Sequence, residues 1–376
     1  MVVPEDEALQ VVYDNRRYAI TLGLIFLGIA VILGTVLAHR VSGPLDAVAR
    51  DLEKVGRFVI SEGASPSSFV KEIAVVGESV DRMKAGLRSF SHYVPTEIVG
   101  DLLAHGEEAR LGAEYRRLTI QFSDIEGFTR IGEHMEPDRL VAHIGEYLDE
   151  MTTILRSEQA TIDKYLGDGI LAFFNAPHDV PDHVRRACRA AVRSQERLRE
   201  LGVAWAEAGK PVFRARIGFH VGEVLVGNIG TSYRFEYTVI GDAVNLASRL
   251  ESLNKLYGTG ILASEEIRRE AGDGFEWRTV DRVAVVGRES GTLVCELLGE
   301  CGAVAPHILH ARDVYERALE AYMEGRFAAA VDGFREASLL RPDDLAAMEL
   351  ASRAEALMRE PLPDDWDGLF AQTAKL

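Results

Sequence analysis

An uncharged segment near the start of the chain constrains its fold more than any other feature of the sequence. From Tyr18 to Ala38 the residues "YAITLGLIFLGIAVILGTVLA" include no Asp, Glu, Lys or Arg. A helix of about 20 apolar residues is long enough to cross the hydrocarbon core of a bilayer. We therefore predict a transmembrane helix over 18–38, after an N-terminal flank over 1–17. A signal peptide and a buried core helix are the alternatives.

The charges on either side of this segment predict its orientation. Arg16 and Arg17 precede it, and the basic residues that follow are Arg40, Arg50, Lys54 and Arg57. Because basic residues concentrate on the cytoplasmic side of a membrane, we predict a single-pass protein of the cell inner membrane with its larger part in the cytoplasm. We expect the short N-terminal flank to be too small for a sensor. An upstream sensor and a protein partner are the candidate sources of a stimulus.

Two amphipathic segments follow, over 39–91. In the second, apolar residues recur at alternating spacings of three and four: Ile73, Val76, Val80, Met83, Leu87 and Phe90. A shorter series in the first segment comprises Leu45, Val48, Leu52 and Val55. Such seams pair helices. With Pro44 in "GPL" and Glu72 and Ile73 as "EI", the region resembles a HAMP linker, which implies a parallel bundle with a second copy. The alternative is one amphipathic hairpin that packs on its own domain.

From Leu118 to Gly299 the pattern changes to short apolar strands that alternate with amphipathic helices. The predicted strands are "LTIQFSDI", "TIDKYL", "ILAFF", "FRARIGFHVG" and "FEYTVI", and the predicted helices are Pro137–Ser157, Asp182–Ala208 and Asp242–Tyr257. This order predicts an α+β fold with an antiparallel-rich sheet and helices on one face. In "FRARIGFHV" alternate residues from Phe213 to Val221 are apolar, so we predict one buried face, with His220 on the other.

Charge and cysteine content exclude several classes of protein. The chain has 59 acidic and 42 basic residues, a formal charge of -17, which would repel a nucleic-acid backbone. We therefore expect no nucleic-acid partner. The three cysteines show no C-x-x-C spacing, which argues against a disulfide framework and against a cysteine-rich zinc site.

Two aspartates are predicted at neighbouring strand ends. Asp124 in "FSDIEGFT" ends a strand ahead of a turn, and Asp168 in "GDG" lies at the tip of a hairpin between apolar strands. Such a pair could share a divalent metal ion, because Mg²⁺ takes one or two protein carboxylates and completes its shell with substrate phosphates and water. An aspartate in "GDG" is also a common turn former, so this pattern alone leaves both readings open.

A polar pair follows in "TVIGDAVNLASRLE". Asn245 and Arg249 are four residues apart on a predicted helix and therefore share one face. An amide beside a guanidinium suits a ribose and a phosphate, although the same pair would also suit a helix surface that faces solvent.

The motifs "FSDIEGFT", "KYLGDGILA" and "YTVIGDAVNLASRLE", taken together and in this order, resemble the catalytic domain of the class III nucleotide cyclases over 118–299. The resemblance implies a ferredoxin-like core and a homodimer. It also implies an adenylate cyclase, a phosphorus-oxygen lyase that converts ATP to cyclic AMP and pyrophosphate with two Mg²⁺ or Mn²⁺ ions. A guanylate cyclase and a catalytically silent nucleotide-binding module are the alternatives. Residues 92–117 resemble the transducing helix and loop that precede this domain.

The resemblance also implies roles for individual residues. These are Asp124, Asp168 and the backbone carbonyl of Ile125 as metal ligands, Asn245 and Arg249 as catalytic transition-state residues, and Lys164 and Thr238 as the residues that read the purine. One chain would supply the metal ligands of each site, and its partner would supply the other residues.

One position departs from the family pattern. Members of the family carry a triphosphate-binding lysine in a "VKGK"-like turn, whereas this chain has "VVGR", with Val286 at the lysine position. Arg288 lies two residues on and would project from the same face of a strand. We predict that Arg288 contacts the triphosphate; the alternative is a solvated residue at a strand end.

The last part of the chain predicts a helical tail over 311–360, followed by a C-terminal tail over 361–376. Small and aromatic residues occupy tetratricopeptide-like positions: Tyr322, Gly325, Phe327, Ala330, Phe334, Ala337 and Pro342. Because one repeat cannot bury its own face, we predict that it packs with the next helix, Asp343–Arg359, against the catalytic domain or a partner.

Overall fold

A computed structural model of the chain describes residues 5–56, 59–60, 63, 68, 70–91, 108–284, 291–359, 366 and 368–369. The chain divides into two compact units, Met1–Glu108 and Ala109–Leu376. The predicted transducing segment over 92–117 lies largely outside the described residues. Val286, Arg288 and most of the C-terminal tail also lie outside them.

The first unit contains helix α1 (Glu5–Gly56), which continues through Pro44 without a break. This helix is long and apolar enough to cross a membrane, and its apolar section is exposed along its whole length. Helix α2 (Lys71–Ser91) packs on α1. Lys84 of α2 is almost fully buried and donates hydrogen bonds to Asp51 Oδ2 at 2.9 Å and to the Gly63 carbonyl at 2.8 Å.

The two apolar seams of this unit are divided between the interior and the surface. Val48, Val55 and Val80 are buried within the unit. The exposed members of the seams are Leu45, Leu52, Val76, Met83 and Phe90. The contact between α1 and α2 therefore uses only part of the apolar pattern, and an apolar stripe remains on the surface.

The second unit begins with a βαββαβ arrangement. Its elements are β1 (Gly112–Ile125), α3 (Phe128–Gly132), α4 (Pro137–Ser157), β2 (Ala160–Leu166), β3 (Gly169–Phe174), α5 (His183–Glu207) and β4 (Ala215–Gly230). The strands are ordered β2-β3-β1-β4, and each neighbouring pair is antiparallel. This is the strand order of a ferredoxin-like core, as predicted.

The sheet continues beyond this core. The further elements are β5 (Phe235–Ile240), α6 (Asp242–Tyr257), β6 (Ile261–Ser264), α7 (Glu265–Ala271), β7 (Phe275–Val283) and β8 (Thr292–Glu300). The described strands follow the order β2-β3-β1-β4-β6-β8-β7, and β5 pairs separately with β4. The pair β4 and β6 is parallel, and the other pairs are antiparallel. The predicted antiparallel-rich α+β sheet is confirmed.

The ends of two helices match the prediction, whereas β1 begins earlier and β4 ends later than predicted. Helix α4 has Pro137 in its first turn, where a missing N–H is tolerated, and α6 ends before Gly258 in the left-handed conformation. Both helices have the predicted ends. Strand β1 begins at Gly112 rather than at Leu118, because residues 112–117 pair with residues 223–228 of β4.

The prediction of helices on one face of the sheet is wrong. Helices α4, α5 and α7 cover the face that carries Ile170 and Phe174, whereas α6 covers the opposite face. His220, predicted on the uncovered face, is buried there and lies 2.7 Å from Ser264 Oγ through its Nδ1. Alternation along β4 identifies one apolar face, but it cannot predict that α6 returns across the other.

The C-terminal helices are α8 (Pro306–Met323), α9 (Phe327–Leu340) and α10 (Leu345–Leu357). They share a hydrophobic core with α6 and with the far strands of the sheet, in which Tyr315, Tyr322 and Phe334 pack with Leu250 and Val280. The C-terminal helices therefore pack on the catalytic domain, which is one of the two predicted arrangements. The tetratricopeptide resemblance stays a prediction.

Candidate active site

Close packing at one end of the sheet, between the end of β1 and the turn of the β2–β3 hairpin, brings Asp124 and Asp168 together. Asp124 lies near the end of β1, and Asp168 lies in the turn between β2 and β3. The backbone N–H of Ile125 donates to Asp168 Oδ2 at 3.2 Å. A Cβ at position 169 would lie 2.7 Å from the Ser123 carbonyl oxygen and 3.7 Å from Asp124 Oδ1. Gly169 therefore lets the hairpin approach β1 closely enough to place Asp168 beside Asp124.

The electrostatics of this end of the sheet favour a bound cation. Burial raises the pKa of Asp168 to about 6, and the neighbouring Asp124 carboxylate adds to the effect. Arg216 Nη2 donates to Asp124 Oδ2 at 2.8 Å, and Arg216 Nε lies 3.3 Å from Glu251 Oε1. Burial also raises the pKa of Glu251, although Arg216 opposes this shift. Arg216 thus contacts two carboxylates, those of Asp124 and Glu251, and the Asp168 carboxylate lies beside Asp124.

The donor set at this end of the sheet suits Mg²⁺ or Mn²⁺. Carboxylate and carbonyl oxygens are the hard ligands that these ions prefer. Among the described residues there is no group of three or more His, Cys, Asp or Glu placed to hold a metal. Asp124, Asp168 and the Ile125 carbonyl would therefore supply only part of a coordination shell. Substrate phosphates and water would complete it, as in other nucleotide sites.

The two predicted purine readers lie on facing strands. Strand β5 lies over the face of β3, where the rings of Phe173 and Tyr237 have centroids 6.2 Å apart. Lys164 of β2 forms an ion pair with Glu236 of β5 at 2.5 Å. The Thr238 hydroxyl donates to Asp163 Oδ2 at 2.5 Å. The structure thus brings Lys164 and Thr238 together through their neighbours on the two strands.

The predicted transition-state pair lies on the surface of α6. Asn245 and Arg249 are both exposed on this helix. Within the described ranges, neither side chain forms a hydrogen bond or an ion pair, so nothing there links them to Asp124 or Asp168. A Cβ at Gly218 of β4 would lie 1.9 Å from the Glu251 backbone nitrogen, so α6 is held tightly against the sheet while this pair faces outward.

Four charged residues of the site were missed at the sequence level: Arg216, Glu251, Asp163 and Glu236. Arg216 lies directly opposite Asp124 in the pairing of β1 with β4, so knowledge of that register would have identified it. Asp163 directly precedes Lys164 in "TIDKYL". This position next to a proposed base-reading residue is the signal that could have identified Asp163.

Comparisons with known proteins agree with this arrangement. The family model described as "Adenylate and Guanylate cyclase catalytic domain" matches residues 112–299, half of the chain. "Adenylate cyclase 1" of Rhizobium meliloti (strain 1021) is 32% identical over 304 residues, which cover 81% of this chain and 46% of that protein. "Adenylate cyclase" of Anabaena cylindrica is 32% identical over 299 residues, which cover 74% of this chain and 59% of that protein.

The chain thus spans about half the length of these curated relatives. Among solved structures, a bacterial light-regulated adenylyl cyclase has a TM-score of 0.53 at 22% identity, over 60% of this chain and 65% of that chain. At this identity the likeness concerns the fold alone. The family match over the complete sheet and the three motifs in order establish that the chain belongs to the class III adenylate and guanylate cyclases.

Proposed function

We propose that this protein is an adenylate cyclase that converts ATP to 3′,5′-cyclic AMP and pyrophosphate. The observation that carries the proposal is that Lys164 and Thr238 lie on facing strands, where both contact Asp163. A lysine can only donate hydrogen bonds, and a threonine hydroxyl can accept one. This combination suits adenine, which has an acceptor at N1 and a donor at its 6-amino group. The curated relatives named above are called adenylate cyclases.

In the proposed reaction the ribose 3′-hydroxyl loses its proton to water, its oxygen forms a bond to the α-phosphorus, and the bond from that phosphorus to pyrophosphate breaks. Two divalent cations held by Asp124, Asp168 and the Ile125 carbonyl would stabilise the attacking and leaving oxygens. Arg249 would neutralise charge that grows on the α-phosphate, and Asn245 would orient the ribose. Arg288 is the proposed triphosphate contact, in place of the lysine that Val286 replaces.

The exposed position of Asn245 and Arg249 supports a site shared between two chains. Their side chains face outward from α6, where a second copy could present its own nucleotide and metal ions. Because each chain carries both halves, a homodimer would contain two equivalent sites. A catalytic site shared between two chains would also make the activity depend on protein concentration.

Substrate choice tests the proposed function directly. The full chain in detergent, incubated with ATP or GTP and Mg²⁺ or Mn²⁺, should form cyclic AMP in preference to cyclic GMP. Guanine reverses the donor and acceptor at its base edge, and each unpaired polar group costs about 1 to 3 kcal/mol. We therefore expect kcat/KM to be lower for GTP by about tenfold or more.

Each alternative gives a different result in the same assay. Preference for GTP would identify a guanylate cyclase. Binding of nucleotide without any cyclic product would identify a silent module. Removal of the divalent ions with a chelator should stop product formation in either cyclase.

We further propose that α1 anchors the protein in the cell inner membrane as a single span, with the catalytic domain in the cytoplasm, and that α1 and α2 form a HAMP-like linker. The exposed stripe of Leu45, Leu52, Val76, Met83 and Phe90 supports this proposal, because a second copy could cover it. A signal would then reach the shared catalytic sites as a shift between two paired linkers.

Met83→Glu should weaken self-association of the chain. Burial of a methionine side chain contributes about 1.5 to 3 kcal/mol, so a charge there should raise the dimer dissociation constant about tenfold or more. Val75→Glu is the matched control, since Val75 is also exposed on α2 but lies off the seam. Sedimentation of the detergent-solubilised chain measures the effect. Equal dimerisation of the two variants would favour the single-chain hairpin instead.

A further inference from the structure

A buried carboxylate lies directly behind the proposed base-reading residues. The Asp163 side chain is only 1% exposed. Its Oδ2 accepts the hydrogen bond from the Thr238 hydroxyl, and its Oδ1 lies 3.5 Å from Lys164 Nζ. Oδ1 has no hydrogen bond within the part of the chain that the structure describes. Because burial of an incompletely paired charge is unfavourable, this aspartate is poorly explained by stability alone.

An irregularity in β2 gives Asp163 its position. The pairing of β2 with β3 shifts register between Ile162 and Lys164, so Asp163 is the extra residue of a β-bulge. Consecutive residues of a regular strand point to opposite faces, whereas a bulge redirects a side chain. Here both Asp163 and Lys164 contact β5, through Thr238 and Glu236. The bulge thus places the Asp163 carboxylate and the Lys164 ammonium group side by side against β5, the strand that carries Thr238.

The contact with Asp163 restricts what the Thr238 hydroxyl can do. A hydroxyl has one proton and two lone pairs, so on its own it can either donate or accept. Thr238 donates its proton to Asp163, which leaves only lone pairs for a ligand. Burial raises the pKa of Asp163, but the Thr238 hydrogen bond and the charge of Lys164 both oppose that shift and favour the carboxylate.

We propose that Asp163 is a specificity-determining residue that acts through Thr238. By holding the hydroxyl proton, it makes Thr238 an acceptor for the 6-amino group of adenine and prevents Thr238 from donating to the 6-oxo group of guanine. The inference rests on the proposed function, and it explains how a hydroxyl that could serve either purine selects one. Asp163 itself is a positioning residue, since Thr238 makes the proposed contact with the base.

Asp163→Asn tests this inference. The positive charge of Lys164, beside Oδ1, should orient the new amide oxygen toward the lysine and its NH₂ group toward Thr238. The hydroxyl would then accept from the amide and could donate to guanine. We expect the ratio of kcat/KM for ATP to that for GTP to fall about tenfold, the effect of one hydrogen-bond mismatch. Asp332→Asn, at an exposed position on α9, is the matched control and should leave the ratio unchanged.

A double-mutant cycle distinguishes this role from a general loss of structure. In a Thr238→Val background, where no hydroxyl remains, Asp163→Asn should produce no further change in the ratio. If Asp163→Asn fails to fold, Asp163→Ala should lower the ratio in the same direction, because it also releases the hydroxyl proton. An unchanged ratio in a folded variant whose parent prefers ATP would overturn the inference. A parent that forms no cyclic nucleotide would overturn the proposed function instead.

Discussion

Asp168→Ala should reduce cyclic AMP formation by the full chain by about three orders of magnitude at saturating ATP, because a metal site stabilises the transition state by several kcal/mol and each 1.36 kcal/mol is a factor of ten in rate. The physical reason is that Asp168 and Asp124 supply the only carboxylates proposed for the cations. Loss of either carboxylate leaves the triphosphate and the attacking oxygen without a fixed positive partner. The measurement is product formation per enzyme with Mg²⁺ and with Mn²⁺.

Two further variants show whether charge or turn geometry is responsible. The alanine variant also removes the acceptor of the Ile125 N–H, which lies 3.2 Å from Asp168 Oδ2. Asp168→Asn retains an oxygen for that hydrogen bond and should lose activity while it keeps the thermal stability of the parent. Asp273→Ala is the matched control, because Asp273 lies in a second "GDG" turn, where it is exposed. Activity within tenfold of the parent in Asp168→Asn would make Asp168 a turn former only.

The ends of helices could be predicted because the residues that determine them lie within a few positions of each end. Pro137 marks the start of α4, and Gly258 stops α6 through a left-handed conformation. The covering of the second face of the sheet could not be predicted in this way. It depends on the return of α6 across β4, which requires the close approach at Gly218. A glycine in a predicted strand indicates such a close approach, but it does not identify the element that approaches the strand.

The candidate site likewise contains residues that could be predicted from the sequence and residues that could not. Asp124 and Asp168 were found because each stands in a short motif at a strand end. Arg216 was missed as a site residue because its contact with Asp124 exists only in one register of β1 and β4. Asp163 was missed because a bulge, and not the regular alternation of β2, turns it toward Thr238. Local sequence thus predicts candidate site residues, whereas their contacts with neighbours such as Arg216 and Asp163 depend on long-range pairing.

Arg278→Met should lower the free energy of unfolding of the catalytic unit by about 3 to 5 kcal/mol, the usual effect of breaking a buried ion pair. Arg278 of β7 is 2% exposed, lies 2.7 Å from Glu296 of β8 and pairs with Asp344 at the start of α10. Its guanidinium also lies 4.5 Å from the ring centroid of Tyr315. Without the arginine, the buried Asp344 would lose its ion-pair partner, and Glu296 would keep only the partly exposed Arg341, 3.4 Å away.

Hydrogen exchange of the α8 to α10 amides and thermal unfolding of the full chain measure this loss. Arg335→Met is the control, since Arg335 pairs with Glu355 at 2.7 Å on the surface, where the expected effect is below about 1 kcal/mol.

Neutralising both carboxylates in Arg278→Met, as Glu296→Gln and Asp344→Asn, should recover part of the stability, because no unpaired charge then stays buried. Equal stability of Arg278→Met and Arg335→Met would mean that the apolar core alone holds the helices to the sheet. A destabilised variant that also loses turnover would instead connect the helices to catalysis. The connection would run through α10, whose Arg353 pairs with Asp281, to the Tyr257 hydroxyl at the end of α6, the helix that carries Asn245 and Arg249.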